Sequence, residues 1–386
     1  MPEFNGNIRS KLPKVGTTIF TVMSALANEY KAINLSQGFP NFECSPTLVS
    51  LINDDMKKGM NQYAPMQGIM PLRETIAEKM QELYGAKYSP EKEINITAGG
   101  TEAIYAAITA VVQEGDEVIV IEPAYDCYVP AIELSGGIPV YVKLQAPNYT
   151  IDWEDLKKKV SHRTRMIMIN TPHNPTGAVM TEADMKELEN ITQGSNIIIL
   201  SDEVYEHIIF DGLKHQSVCR FPGLAERSFI VFSFGKTYHA TGWKMGYVLA
   251  PEKLMTEFRR VHQFIVFTVN TPFQYALADY MKNKSEYLEL GAFYQKKRDY
   301  FNNLIKGSKF NFVPSSGSYF QSLDYSKITN EKDTDYAIRL TKEVGVASVP
   351  TSVFYHEPVD NKLLRFCFAK TDETLEKAAE KLHNVK

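Results

Sequence analysis

A chain of 386 residues, 44% hydrophobic and 23% charged, has the length for two domains, or for one large α/β body with an appendage, and the composition of a globular protein with a real core. Its net charge of −4, with no basic stripe, argues against a general nucleic-acid surface, and its apolar runs all fall short of membrane length. Four scattered cysteines without a CxxC and eight histidines without an HxxxH argue against a metal site; with no signal-peptide core at the N-terminus, they predict reduced thiols in a cytoplasmic protein.

In chain order, "EINIT" (93–97) predicts a strand leading into the helical pattern "EAIYAAITAVV". "DEVIVIE" (116–122) comes next, leading to "PAYDCYVPAIELSG". "RMIMIN" (165–170) precedes "TPHNPTG" and the helix-like "TEADMKELENIT". "NIIILSDEVY" (196–205) and "SFIVFSFGKT" (228–237) complete the series. The runs at 118–121, 166–169 and 197–200 are unbroken apolar rather than alternating. Such strands are buried on both faces, as in a parallel sheet covered by helices. The strand–helix alternation predicts the same α/β class. Farther on, "YLELGAFYQKKRDYFNNLIKG" (287–307) predicts one long helix. A Gly/Ser-rich turn, "PSSGSY", mixed segments and a charged helix close the chain. That tail and the N-terminal segment are expected to form a smaller second domain.

In open parallel sheets, ligands bind beyond the carboxyl ends of the strands. Gly100 and Thr101 come after "EINIT", Tyr125 after "DEVIVIE", and Asn174 after "RMIMIN". Asp202 and Tyr205 come after "NIIIL", and Ser233 and Lys236 after "SFIVF". Gly, Asn, Asp and Ser also favour ordinary turns; their joint appearance at five strand ends favours a site. "GKT" (235–237) suggests a P-loop, but that motif needs a glycine where Ile230 stands inside a strand, so a P-loop is excluded. The turn "TAGGTEA" offers helix-start amides for a phosphate, although a plain helix start capped by Thr101 gives the same pattern. Ser233, Lys236 and Lys244 are further phosphate-capable groups. An aspartate at the end of a buried strand is costly to ionise without a cation or good donors, and a protonated ring nitrogen is such a partner. Lys236 can condense with an aldehyde when its pKa is lowered in a partly dry pocket. A phosphate site, an aspartate for a pyridinium and a lysine for an aldehyde together describe pyridoxal 5′-phosphate.

The chain resembles the fold-type I, aspartate-aminotransferase-like enzymes. Within them it is most similar to bacterial methionine aminotransferases and the kynurenine/glutamine aminotransferases. The pieces that carry the resemblance run in the family's order from about Asn34 to Lys370: "NLSQGFPNF", "NQYAPMQGIMPLRE", "TAGGTEA", "EPAYDCY", "NTPHNPTG", "SDEVYEH", "SFGKTYHATGWKMGY", "HQFIVFTVNTP" and "LRFCFAK". The resemblance implies a large cofactor domain over 43–285 with a mixed, mostly parallel seven-stranded sheet covered by helices. It also implies a small α+β domain over 286–386, joined by the segment 1–42. It implies that Lys236 is the Schiff-base lysine and proton shuttle, that Asp202 pairs with the pyridinium nitrogen, and that Asn174 and Tyr205 bind the phenolic oxygen. By the same resemblance, Tyr125 stacks on the ring, and Gly100, Thr101, Ser233 and Lys244 hold the phosphate, with Tyr63 reaching in from a partner subunit of a homodimer. Arg365 forks the substrate carboxylate, assisted by Asn174 and Gly38. Lys244 departs from the arginine that many relatives carry there, so a point charge replaces a planar fork. Dicarboxylate-specific relatives use a second arginine that no motif here supplies. Phe20, Phe39, Tyr63, Tyr125, and Phe264 or Phe267 suggest an apolar pocket, which suits methionine first, then aromatic amino acids, glutamine or kynurenine. The expected reaction moves the amino group to a 2-oxo acid by ping-pong chemistry; the alternative is a cysteine-conjugate β-lyase on the same scaffold.

Overall fold

Val118 and Val120 leave their strand on one face, Ile119 and Ile121 on the other, and the two pairs are buried in separate apolar clusters. A strand of this kind needs cover on both sides. The computed structural model, which describes residues 2–357 and 359–385, provides it. After a short strand β1 (Ile33–Asn34), one sheet is built from β2 (Ile94–Thr97), β3 (Glu117–Glu122), β4 (Ile138–Lys143), β5 (Thr164–Asn170), β6 (Ile198–Asp202), β7 (Ser228–Ser233) and β8 (Gly246–Leu249). Its spatial order is β2-β8-β7-β6-β5-β3-β4. All neighbours are parallel except β8, which runs antiparallel to both β2 and β7. The sheet is therefore mixed and mostly parallel, as expected. Helices Gly100–Val111 and Glu252–Ile265 cover one face, and Met70–Tyr84, Glu182–Thr192 and Thr271–Tyr280 the other.

The second body holds β9 (Phe320–Asp324), β10 (Val346–Ala347), β11 (Val349–Pro350) and β12 (Leu363–Cys367). β12 lies between β11 and β9, antiparallel to each, and β1 pairs in parallel with β10. A third apolar cluster joins Met23 and Leu35 to Phe301, Tyr336 and Leu375, and Tyr205 and Phe210 of the larger body reach into it.

The single long helix expected over 287–307 is instead two, Ser285–Leu288 and Leu290–Ile305. Tyr287 packs into a cluster of the large sheet, whereas Leu290 packs into the third cluster. Residues three apart on an unbroken helix share one face, so a break at Glu289 is what lets these two serve different cores. In β12 the strand alternation sends Leu364 and Phe366 into the third cluster, and Arg365 between them faces the other way, toward the ends of β5 and β6.

Candidate active site

The parallel strands β3, β5, β6 and β7 end on one edge of the sheet, and there a cavity of about 290 Å³ opens. Gly100, Thr101, Tyr125, Asn174, Asp202 and Tyr205 line it from the large body. Ser233, Lys236 and Lys244 join them from the turn around β7 and β8. Arg365, Phe20 and Gly38 close it from β12 and the N-terminal segment.

One end of the cavity is a concentration of donors. The helix after β2 begins at Gly100, so Thr101 is its second residue and not its cap. Gly99 occupies the cap position with φ 80°, a conformation open to glycine and strained for other residues. First-turn amides have no acceptor within the helix. Lys244, itself left-handed at φ 55°, brings its amine head over this turn, 3.5 Å from where a Cβ on Gly99 would lie. Ser233 precedes the short helix Phe234–Thr237, and its hydroxyl makes no capping bond. Amides at a helix start, a hydroxyl and an ammonium form a donor set for a phosphate dianion.

Asp202 ends β6 and is only 4% exposed. The Tyr128 hydroxyl donates to its carboxylate at 2.5 Å and the Val204 amide at 3.3 Å, yet among the described residues no cation pairs with it. Burial pushes its pKa from the ordinary 3.8 up to about 6, against the lowering pull of those bonds. Asn170, across the β5–β6 pairing, donates to Asp202 O at 2.8 Å and accepts from the Asn174 amide at 2.8 Å, tying two strand ends together. Lys236 Nζ donates to Tyr319 Oη at 2.8 Å and to Gly38 O at 3.1 Å. Burial pushes this amine down to about 8.

Arg365 is 1% exposed. Its Nη1 donates to Asn174 Oδ1 at 2.7 Å and its Nη2 to Ser36 O at 3.1 Å, while Nε has no partner among the described residues. The guanidinium carbon lies 3.9 Å from the Phe320 ring centre and 5.2 Å from that of Phe20. Among the described residues no carboxylate lies within ion-pair distance. A structural arginine neutralised by a buried acid is thereby excluded, and a cation without a counter-ion is what an anionic ligand group meets favourably.

Four of the aromatics expected at the site do not line the cavity. The Phe39 side chain is 43% exposed and stacks on Lys370 outside it. Tyr63 is 81% exposed and packs edge-on against Phe267 at 5.3 Å. Phe264, 86% exposed, and Phe267 also lie away from the cavity.

The class I and II aminotransferase family model matches residues 30–382. The chain belongs to the class I and II aminotransferases. A methionine aminotransferase of Escherichia coli K12 is 49% identical over 98% of each chain. The human kynurenine–oxoglutarate transaminase 1 is 33% identical over 94% of each. An Escherichia coli crystal structure, described as identifying a methionine aminotransferase function, superposes with a TM-score of 0.96 at 49% identity, covering 98% of this chain and 99% of that one. Members of this aminotransferase family are pyridoxal-phosphate enzymes, and the protein is a transaminase.

Sequence reasoning missed three side chains at the candidate site: Tyr128 against Asp202, Tyr319 against Lys236 and Phe320 against Arg365. Tyr128 stands three residues after Tyr125 in "PAYDCYVP", and Tyr319 ends the "PSSGSY" turn. Neither stretch carries a spacing that says which aromatic turns inward.

Proposed function

We propose that this aminotransferase binds pyridoxal 5′-phosphate in the cavity and uses it to move the amino group of an apolar amino acid, methionine first, to a 2-oxo acid. The observation that carries this reading is one cavity holding a buried aspartate without a cation, a buried arginine without an acid and a lysine with a depressed pKa. The donor set of Gly100, Thr101, Ser233 and Lys244 fits the phosphate. Asp202 fits a protonated ring nitrogen, Asn174 and Tyr205 fit the phenolic oxygen, and Tyr125 offers a face for the ring. When bound, the cofactor supplies an electron-withdrawing ring that makes the α-hydrogen of the amino acid removable. Arg365 holds the α-carboxylate through a two-pronged contact, with Asn174 and Gly38 at its side, and so fixes the α-carbon. Lys236 Nζ takes the α-proton and gives one back.

The substrate class is argued from the rest of the lining. Arg365 is the only arginine among the described residues that line the cavity, while Phe20, Ile104, Met245 and Phe320 supply apolar surface. A thioether meets ring edges favourably, so methionine fits, and the name of the Escherichia coli relative agrees. We further propose the division 1–42, 43–285 and 286–386. A homodimer in which Tyr63 enters the partner's site fits its 81% exposure. The four unbonded cysteines support a cytoplasmic setting.

The deciding test is the absorption spectrum of cofactor-loaded protein with L-methionine and no oxo acid. Loss of the lysine-linked band, gain of the aminated-cofactor band and reversal by an oxo acid are expected. Lys236→Ala is expected to lose at least about 1,000-fold in turnover. Preference for aspartate over methionine in kcat/KM refutes the pocket reading, and pyruvate release from cysteine conjugates without an oxo acid marks a β-lyase.

A further inference from the structure

Tyr319 touches the reacting lysine, yet neither cofactor binding nor carboxylate binding calls for it. It precedes β9, is fully buried, and its hydroxyl oxygen lies 2.8 Å from Lys236 Nζ. That hydroxyl gives its single hydrogen to Gly38 O. Its lone pairs are then acceptors for the lysine. Gly38 O is also 3.1 Å from the same nitrogen.

Lys236 Nζ therefore meets two acceptors, and a neutral amine has two hydrogens and one lone pair. The two acceptors touch each other and so lie on one side of the nitrogen; hydrogens drawn to that side restrict rotation about the Cε–Nζ bond and leave the lone pair on the other. We propose that Tyr319, together with Gly38 O, is a positioning device that orients the free Lys236 amine so that its lone pair, and not an N–H, meets the substrate's α-hydrogen. In that step the C–H bond breaks, the proton bonds to Nζ to give an ammonium, and the electron pair stays with the substrate.

The device is rigid on both sides. The Tyr319 ring stands edge-on to Tyr205 at 5.1 Å and to Phe320 at 5.0 Å. Lys370 Nζ holds the carbonyls flanking Gly38, at 3.4 Å from Gln37 O and 2.8 Å from Phe39 O. Gly38 itself has no room for a side chain, since a Cβ there would lie 2.8 Å from Phe320 Cζ. The charged and titratable groups that face Lys236 are Cys367, Lys244, Arg365, Asp202 and Tyr205, and Tyr319 is the neighbour whose bond to the amine depends on orientation. The two contacts also join the lysine of the large body to residues from β9's approach and from the N-terminal segment, so the amine is set only when those pieces are seated.

The inference rests on Lys236 being the group that takes the α-proton, so the experiment reads both separately. Borohydride reduction and peptide mass mapping locate the cofactor-bearing lysine in the wild type and in Tyr319→Phe. Stopped-flow spectra measure the half-reaction with L-methionine, and competitive lysine labelling of the cofactor-free protein measures the Lys236 titration. The expected result is cofactor on Lys236 in both proteins and a half-reaction about 10-fold slower in Tyr319→Phe, the loss of one oriented bond to an amine that gains charge in the step. Methionine affinity is expected to stay within about threefold, because Tyr319 makes no hydrogen bond to Arg365. The Lys236 titration is expected to move to lower pH, because an acceptor favours the ammonium form. Unchanged rate and titration with cofactor on Lys236 overturn the inference and leave the reading of the site intact. Cofactor absent from Lys236 in the wild type overturns both. If Tyr319→Phe does not fold, 4-fluorophenylalanine incorporated at the position fills the hydroxyl's place with a very weak acceptor that cannot ionise; shifts in the same directions support the inference and no shift overturns it.

Discussion

Asp202 is held by one phenol and one amide, and its burial works against its charge. Its pKa in the folded chain is raised to about 6 from 3.8, so between those values the folded state binds more protons than the unfolded one. Stability of the cofactor-free protein therefore falls as pH rises through that window and stays lowered above it. Asp202→Asn removes the buried charge. The cofactor-free variant is expected to be more stable than the wild type at pH 7.5, by on the order of 1–3 kcal/mol, with the gap closing near pH 4. Cofactor affinity and turnover are expected to fall in the same variant, because the ring nitrogen loses its partner. Paired thermal melts and a cofactor titration check both halves. A variant no more stable at pH 7.5 means that Asp202 is not strained in the way its burial implies.

At the scale of elements, the segment after β6 is secured from below. Lys79, in the helix Met70–Tyr84, pairs with Glu206, and both are 5% exposed. The Tyr84 hydroxyl donates to the second carboxylate oxygen of Glu206 at 2.7 Å, and the Tyr247 hydroxyl lies 3.0 Å from Lys79 Nζ. This anchors the "SDEVYEH" stretch that carries Asp202 and Tyr205. Lys79→Met leaves the buried Glu206 carboxylate only Tyr84, Tyr247 and the His207 ring as neighbours and is expected to cost about 3 kcal/mol in urea unfolding, most of it recovered by Lys79→Met with Glu206→Leu. A single variant as stable as the wild type removes the anchor. Within "SDEVYEH" the residue types single out Asp202 and Tyr205 and leave Glu206 as one more charged residue. Its partner lies far back in the chain, in a helix whose pattern gives no hint of a buried lysine.

For the whole molecule, the proposed dimer is tested through Tyr63. Tyr63, Phe264 and Phe267 leave large aromatic area in water on a chain whose other aromatics are mostly buried. The proposed dimer would cover such area. A twofold dimer sharing its sites makes a sharp prediction. Lys236→Ala and Tyr63→Ala chains, each nearly inactive alone, are mixed, unfolded together and refolded. Half the dimers then pair unlike chains, and one of their two sites is intact. About a quarter of wild-type activity is expected to return. No recovery, with sedimentation showing that dimers have formed, means that Tyr63 does not cross to the partner.

The residue pattern by itself determined the sheet and the chemistry at its edge. Unbroken apolar runs have to be covered on both faces, and parallel strands have to end on one side. Asp202, Asn174, Ser233 and Lys236 therefore fall at neighbouring strand ends whatever the remaining packing. Positions fixed by the ends of strands are legible locally, because a short stretch of chain is enough to mark where a strand stops. The tertiary structure alone decided which side chains reach across. Arg365 joins the cavity because strand alternation in β12 points it away from Leu364 and Phe366. Tyr319 meets Lys236 although 83 positions separate them. Phe39 is excluded although it adjoins Gly38, which the cavity includes. Contacts between segments far apart in the chain depend on how two bodies pack, and a side-chain direction at a turn depends on backbone angles that no residue type states.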